Sequence, residues 1–112
     1  MKLLCCFLFL VLVAMACHRD EPIGKDSYTN FYYKQTYCAD PWPTGNTDSI
    51  TLVNVAGYLK SLNLYIAGLS IKLDDNIDIC QACTCKTGKT IYVATLNSDS
   101  LKARYIRAGF KQ

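Results

Sequence analysis

Fourteen consecutive apolar residues, Leu3 to Ala16, follow Met1-Lys2 and stop abruptly at Cys17-His18-Arg19-Asp20-Glu21. A transmembrane helix needs roughly 20 apolar residues, so this run falls short of a span. A positive start, a short apolar core and small residues before a cut are instead the parts of a secretory signal peptide. Residues 1–16 are therefore expected to be cleaved on export, with residues 3–16 forming an apolar helix that packs on nothing; Leu, Ala and Met favour helix locally. The fold must then come from the 96 residues that remain. An exported chain meets an oxidising compartment, where cysteines pair.

The cysteine at the cut refines that reading. Val13-Ala14-Met15-Ala16-Cys17 resembles the lipobox of bacterial lipoproteins, which carry a type II signal peptide. Ala14 stands where the family prefers Leu, and the small Ala16 is kept. The resemblance implies cleavage after Ala16, with a diacylglycerol and an N-acyl lipid such as palmitate on Cys17. It further implies a lipid-anchored protein of the cell envelope, expected at the outer membrane, with the leaflet faced left open. An ordinary cleaved signal and an uncleaved anchor helix are the alternatives. Residues 17–27 then form a lipidated cysteine and a charged, proline-containing tether, in which Gly24-Lys25-Asp26-Ser27 has no apolar content, a spacer that lets a domain stand off from a bilayer.

Without residues 1–16 the chain carries eleven Lys and Arg against nine Asp and Glu, a formal balance of +2. That argues against nucleic acid as a partner, which calls for basic residues clustered on one face. Lys86 and Lys89 flank a loop, while Lys102, Arg104, Arg107 and Lys111 are read as the solvated face of a C-terminal helix, where cations favour the helix dipole. A single domain, residues 28–112, is the only reasonable count at this length.

Residues 28–37 are rich in aromatics and Thr, which favours a strand. Pro41, Trp42, Pro43 and Gly45-Asn46 then make an ordered loop, with Trp42 read as a cap on a small core rather than a ligand platform. Residues 48–62 read as a helix. Ile50, Leu52, Val53, Val55, Ala56, Leu59 and Leu62 recur at three- and four-residue steps, Thr47 or Asp48 caps the first turn, and Asn63 stops it. Gly57 is read as a place where the helix approaches a strand closely.

Residues 64–73 form the next expected strand, with Leu69, Ile71 and Leu73 on one face. A third strand is expected at residues 90–96. A last helix opens at Ser98, presents Leu101, Tyr105 and Ala108 on one side, and ends at Gly109-Phe110. The order is strand-helix-strand-strand-helix. It predicts a small two-layer α+β sandwich with both helices on one face of the sheet, similar to a truncated ferredoxin-like arrangement, in which the third strand pairs antiparallel with the second.

Cys80-x-x-Cys83-x-Cys85, with Cys38 at a distance, is the only dense chemical signal. Two structural disulfides are the leading reading, because a core this small needs a staple. Cys83–Cys85 is too tight a step. Two pairings remain: Cys80–Cys85 with Cys38–Cys83, which is preferred, and Cys80–Cys83 with Cys38–Cys85. The competing readings are a zinc site on Cys38, Cys80, Cys83 and Cys85, a Cu(I) site, and thiol–disulfide exchange through Cys80, Cys83 and Cys85. For exchange, no helix begins where a low thiol pKa requires one.

The Cys80–Gly88 segment, the Cys38-Ala-Asp-Pro-Trp loop and Ala108-Gly109-Phe110 together resemble a group of short bacterial lipoproteins of unassigned function, across most of residues 37–110. That likeness implies architecture and no active site. The sole histidine, His18, sits beside the anchor, which removes Cys–His and Ser–His–Asp arrangements from the domain. Asp74, Asp75 and Asp78 lack the order of a calcium loop and read as a solvated turn. The sequence therefore predicts a non-enzymatic envelope lipoprotein without a cofactor. Its expected partners are the membrane, through the lipid, and an envelope protein or ligand of unknown identity.

Overall fold

The computed structural model describes residues 27–112 except 75–77 and 81. The expectations for the signal helix, for Cys17 and for the tether before Ser27 lie outside the described residues. Five elements occur in the expected order: β1 (Tyr28–Thr36), α1 (Asp48–Ser61), β2 (Gly68–Leu73), β3 (Lys86–Leu96) and α2 (Asp99–Arg107). The fold class is α+β.

The sheet order is β1-β3-β2, and β3 is antiparallel to both neighbours. The last strand thus inserts between the first two, which run parallel to each other on either side of it. Pairs such as Phe31↔Val93 and Leu69↔Val93 set the register, so that Phe31, Tyr33, Ile91, Val93, Leu69 and Ile71 share one face by the two-residue alternation of strands. Val55 and Leu59 of α1 and Tyr105 of α2 bury themselves in the same cluster, together with Trp42, Leu64 and Phe110. Both helices therefore cover one face of the sheet. Trp42 is a core residue, as the sequence predicts.

Both helices end in the same device. Asn63 (φ 54°) and Gly109 (φ +95°) take the left-handed position after α1 and α2. The next residue then donates its N–H back into the helix, Leu64 to the Leu59 carbonyl at 3.0 Å and Phe110 to the Tyr105 carbonyl at 3.1 Å. Each pair is also an apolar contact of the kind this motif brings together. At the other end of α1, the Thr47 hydroxyl accepts the Ile50 N–H.

Five expectations need correction. In α1, Ile50, Val53 and Leu62 are exposed, whereas Thr51 is buried beside Val55 and Leu59. Apolar residues surround this helix, so the period alone does not select the buried face. Leu73 is 70% exposed because it ends an edge strand beyond the helical layer. Residues 64–67 precede β2 rather than belonging to it, and β3 begins at Lys86 instead of Thr90, because Thr36 and Leu73 supply partners for its polar start. Gly57 is exposed, and a Cβ there would meet nothing within 4 Å.

Gly45 is the tight position instead. A Cβ there would stand 2.6 Å from Ile50 Cβ and 2.9 Å from the Thr51 backbone nitrogen, while the Gly45 N–H donates to the Thr51 hydroxyl at 3.0 Å. Opposite outcomes are expected from the same substitution. Gly57→Ala should raise stability by about 0.5–1 kcal/mol, and Gly45→Ala should lower it by about 1–3 kcal/mol through overpacking. Urea unfolding of the two variants checks both signs.

Candidate functional site

The four domain cysteines meet where β1 runs off the sheet. The ladder between β1 and β3 shifts register between Lys34 and Thr36, leaving Gln35 buried in the irregularity. A bulge of this kind bends a strand and redirects the residues beyond it. Here those residues are Tyr37, whose N–H donates to the Cys85 carbonyl at 3.1 Å, and Cys38, whose N–H donates to the Cys83 carbonyl at 3.2 Å. The chain is thus steered along the backbone of the Cys83–Cys85 segment.

That steering sets the covalent pairing. Cys38 is bonded to Cys83 across a Cα–Cα distance of 4.5 Å. Cys80 is bonded to Cys85 with the Cα atoms 6.0 Å apart. Both fall within the range that a disulfide spans. Two further contacts hold the second bridge in place. The Cys85 N–H closes a turn on the Ala82 carbonyl at 2.9 Å, and Asp78 exchanges bonds with the Lys86 backbone. This is the pairing that the sequence favours. Sulfurs bonded to each other are neither thiolate ligands nor free nucleophiles, so the zinc, Cu(I) and thiol readings of these cysteines have no thiol to work with in this state.

The loop that follows Cys38 carries buried polar atoms. Asp40 Oδ1 accepts the Thr36 N–H at 3.1 Å and its hydroxyl at 2.7 Å. Asp40 Oδ2 and Trp42 Nε1 are buried without a hydrogen-bond partner among the described residues. The Tyr33 ring packs edge-on against Trp42, and its phenol pKa is pushed up to about 12, first by burial and then by the negative charge of Asp40. Burial also raises the pKa of Tyr105, whose hydroxyl donates to the Tyr65 carbonyl at 2.8 Å.

Linkage gives the sign of the resulting pH dependence. A phenol whose pKa is higher in the folded state keeps its proton longer there than in the unfolded chain. The stability that Tyr33 contributes is complete below pH 10 and is lost as pH rises through about 12. In an ultraviolet titration of the phenolates, Tyr33 and Tyr105 should be among the last to ionise, and Tyr33→Phe should remove part of the late phase.

Among the described residues, two open cavities lie outside the cysteine region. One, of about 300 Å³, is lined by Tyr58, Leu62, Leu64, Arg104, Arg107 and Ala108. Its arginines already serve the fold. Arg104 donates through Nη2 to the carbonyls of Leu62 and Asn63 at the end of α1, and Arg107 is the last residue of α2, so both offset helix C-terminal partial charge.

The second cavity, of about 280 Å³, is lined by Tyr32, Tyr33, Lys34, Lys86, Gly109 and Lys111. Sequence reasoning missed it, because its lysines come from three distant places in the chain. Lys111, expected on the C-terminal helix, lies beyond α2 and pairs with β1, exchanging N–H···O bonds of 2.8 and 2.9 Å with Tyr32. Among the described residues, no cluster of His, Cys, Asp and Glu is arranged to hold a metal, and no helix is long and apolar enough to cross a membrane.

In comparisons with known proteins, no family model matches this chain, and no curated protein or solved structure matches it either.

Proposed function

We propose that this protein is an exported lipoprotein, held in the cell envelope by acyl chains on Cys17, whose small disulfide-stapled domain binds another envelope component without catalysing a reaction. The observation that carries this reading is the pairing of Cys38 with Cys83 and Cys80 with Cys85. Such bridges belong to an oxidising, extracytoplasmic location. That location agrees with an apolar leader that ends at Ala16-Cys17. A diacylglycerol with a further acyl chain gives stable anchoring where one chain does not. The outer membrane is the proposed site.

A binding role rather than catalysis is favoured by the side chains of the domain. The described nucleophiles at the cysteine end are consumed in disulfides, and the lysines and tyrosines of the 280 Å³ cavity offer donors and positive charge. These are groups that hold an anionic partner.

Metabolic labelling with a radioactive or clickable palmitate tests the anchor. The native chain should be labelled, cut after Ala16 and sediment with membranes. Cys17→Ser should carry no label and should no longer be cut there. A Cys17→Ser chain that is still processed and still sediments with membranes would overturn the lipoprotein reading.

A further inference from the structure

We propose that the end of the sheet where the tether joins β1 is a membrane-docking surface, which beds Tyr28 and Tyr65 in the headgroup region of the bilayer and turns the cysteine loops away from it. The inference deepens the anchored reading above and rests on it. The lipid on Cys17 supplies the tether, and the domain supplies a second contact.

The chain that precedes the described residues arrives at this surface. Ten residues lead from Cys17 to Ser27, a length that reaches at most about 35 Å. The Ser27 carbonyl accepts the Asn97 N–H at 2.7 Å, and Tyr28 pairs with Leu96, which fixes the start of the domain beside the end of β3. Tyr65 flanks the same strand end from the other side. Its carbonyl accepts the Thr95 hydroxyl at 2.7 Å, and Ala67 donates its N–H to the Ala94 carbonyl at 2.8 Å. The cysteine loops follow Thr36 at the far end of β1, a strand of nine residues, roughly 26 Å away. Of the two ends of the sheet, the acyl chains therefore hold this one nearer the bilayer.

The side chains suit that position. Tyr28 is 40% exposed and Tyr65 48%. Among the described residues, neither hydroxyl has a hydrogen-bond partner and neither ring stacks on another ring. A ring with a polar tip is the kind of side chain enriched where a membrane meets water. Charge points the same way. Residues 27–29, 64–67 and 95–99 form this end and contain one charged side chain, Asp99, so little charge is desolvated on approach. The opposite end carries Lys72, Lys86 and Lys89 with Asp40, Asp74 and Asp78. The tether also makes the contact intramolecular, so two rings that would not hold a free domain on a membrane suffice for one already held there.

Tryptophan fluorescence of the mature chain on vesicles tests this. Cys17 is the one thiol left when Cys38–Cys83 and Cys80–Cys85 are closed. It can therefore be coupled to a maleimide-bearing phosphatidylethanolamine in phosphatidylcholine vesicles, without native acylation. Tyr28→Trp reports on the docking surface and Tyr37→Trp on the cysteine end. The two tyrosines are equally exposed, at 40%, and buried Trp42 gives both variants the same background. With lipids brominated near the top of their acyl chains, Tyr28→Trp should lose emission and shift to the blue, whereas Tyr37→Trp and the native chain should not change. Adding Tyr65→Ser to Tyr28→Trp should reduce that loss. An unquenched Tyr28→Trp, or equal quenching of Tyr28→Trp and Tyr37→Trp, overturns the docking surface. Far-ultraviolet circular dichroism matching native shows that the variants are folded. The coupling replaces the natural lipid, so the two proposals fail separately. A native chain that takes palmitate while Tyr28→Trp stays unquenched overturns the docking alone, and quenching in a chain whose Cys17 takes no palmitate overturns the anchor alone.

Discussion

Replacing Cys38 and Cys83 together by serine is expected to destabilise the domain by about 4 kcal/mol, and replacing Cys80 and Cys85 by about 2 kcal/mol. The difference comes from the loops that each bridge closes. Cys38–Cys83 spans a sequence separation of 45 and Cys80–Cys85 one of 5, and a longer closed loop removes more freedom from the unfolded chain. The long bridge also ties the strand end beyond the bulge to the loop before β3, two parts held otherwise by the Tyr37 and Cys38 backbone bonds. For a domain of this size about 4 kcal/mol corresponds to a fall of roughly 15–30 °C in Tm. Net stabilities are only about 5–15 kcal/mol, so the first variant should be close to unfolding at physiological temperature. Thermal melts of the two double variants decide it. A larger fall for the short bridge would contradict the loop-closure account.

Tyr105→Ala is expected to cost about 3–5 kcal/mol, the range for removing a fully buried ring. Tyr105 is wholly inaccessible to solvent and joins both ends of the core. Its ring stacks on Phe31 with centroids 5.0 Å apart and meets Phe110 edge-on at 5.6 Å. Aromatic pairs of this kind add about 0.5–1.5 kcal/mol to the area they bury. The substitution also takes away the anchor on which Phe110 folds back. Tyr105→Phe keeps the ring and should cost only about 1 kcal/mol. The Tyr65 carbonyl would still accept from the Thr95 hydroxyl at 2.7 Å, so no acceptor is orphaned. Equal losses for the two variants, measured by urea unfolding, would show that the hydrogen bond and not the ring holds this part of the core.

The parts of this structure that are legible in the sequence are those that local chemistry decides. Helix ends at Asn63 and Gly109 reflect the residues that tolerate a left-handed backbone, and the strand of Tyr and Phe at the start of the domain reflects its composition. The disulfide pairing is legible too, since geometry eliminates the two-residue step and the short segment of three cysteines leaves few alternatives. The hidden features depend on contacts between distant segments. The face of α1 is selected by Trp42, Leu64 and the sheet, not by its own period, which is why buried Thr51 and exposed Val53 run against expectation. The polar start of β3 looks like loop until Thr36 and Leu73 give it partners. The second cavity is hidden for the same reason, since nothing local links Lys34, Lys86 and Lys111. Only the bulge after Lys34 and the C-terminal pairing at Tyr32 bring them to one edge.

The proposed export and acylation, together with the two bridges, have a mass signature that can be read in one measurement. The protein is purified from the membrane fraction with free thiols blocked, digested without reduction, and sequenced by electron-transfer fragmentation. The expected result is an N-terminus at Cys17 carrying diacylglycerol and an amide-linked acyl chain, a peptide containing Cys38 linked to Cys83, an internal Cys80–Cys85 bond, and no blocked thiol. An unmodified Cys17 together with blocked thiols at Cys80, Cys83 or Cys85 would contradict the account and return those cysteines to thiol or metal chemistry.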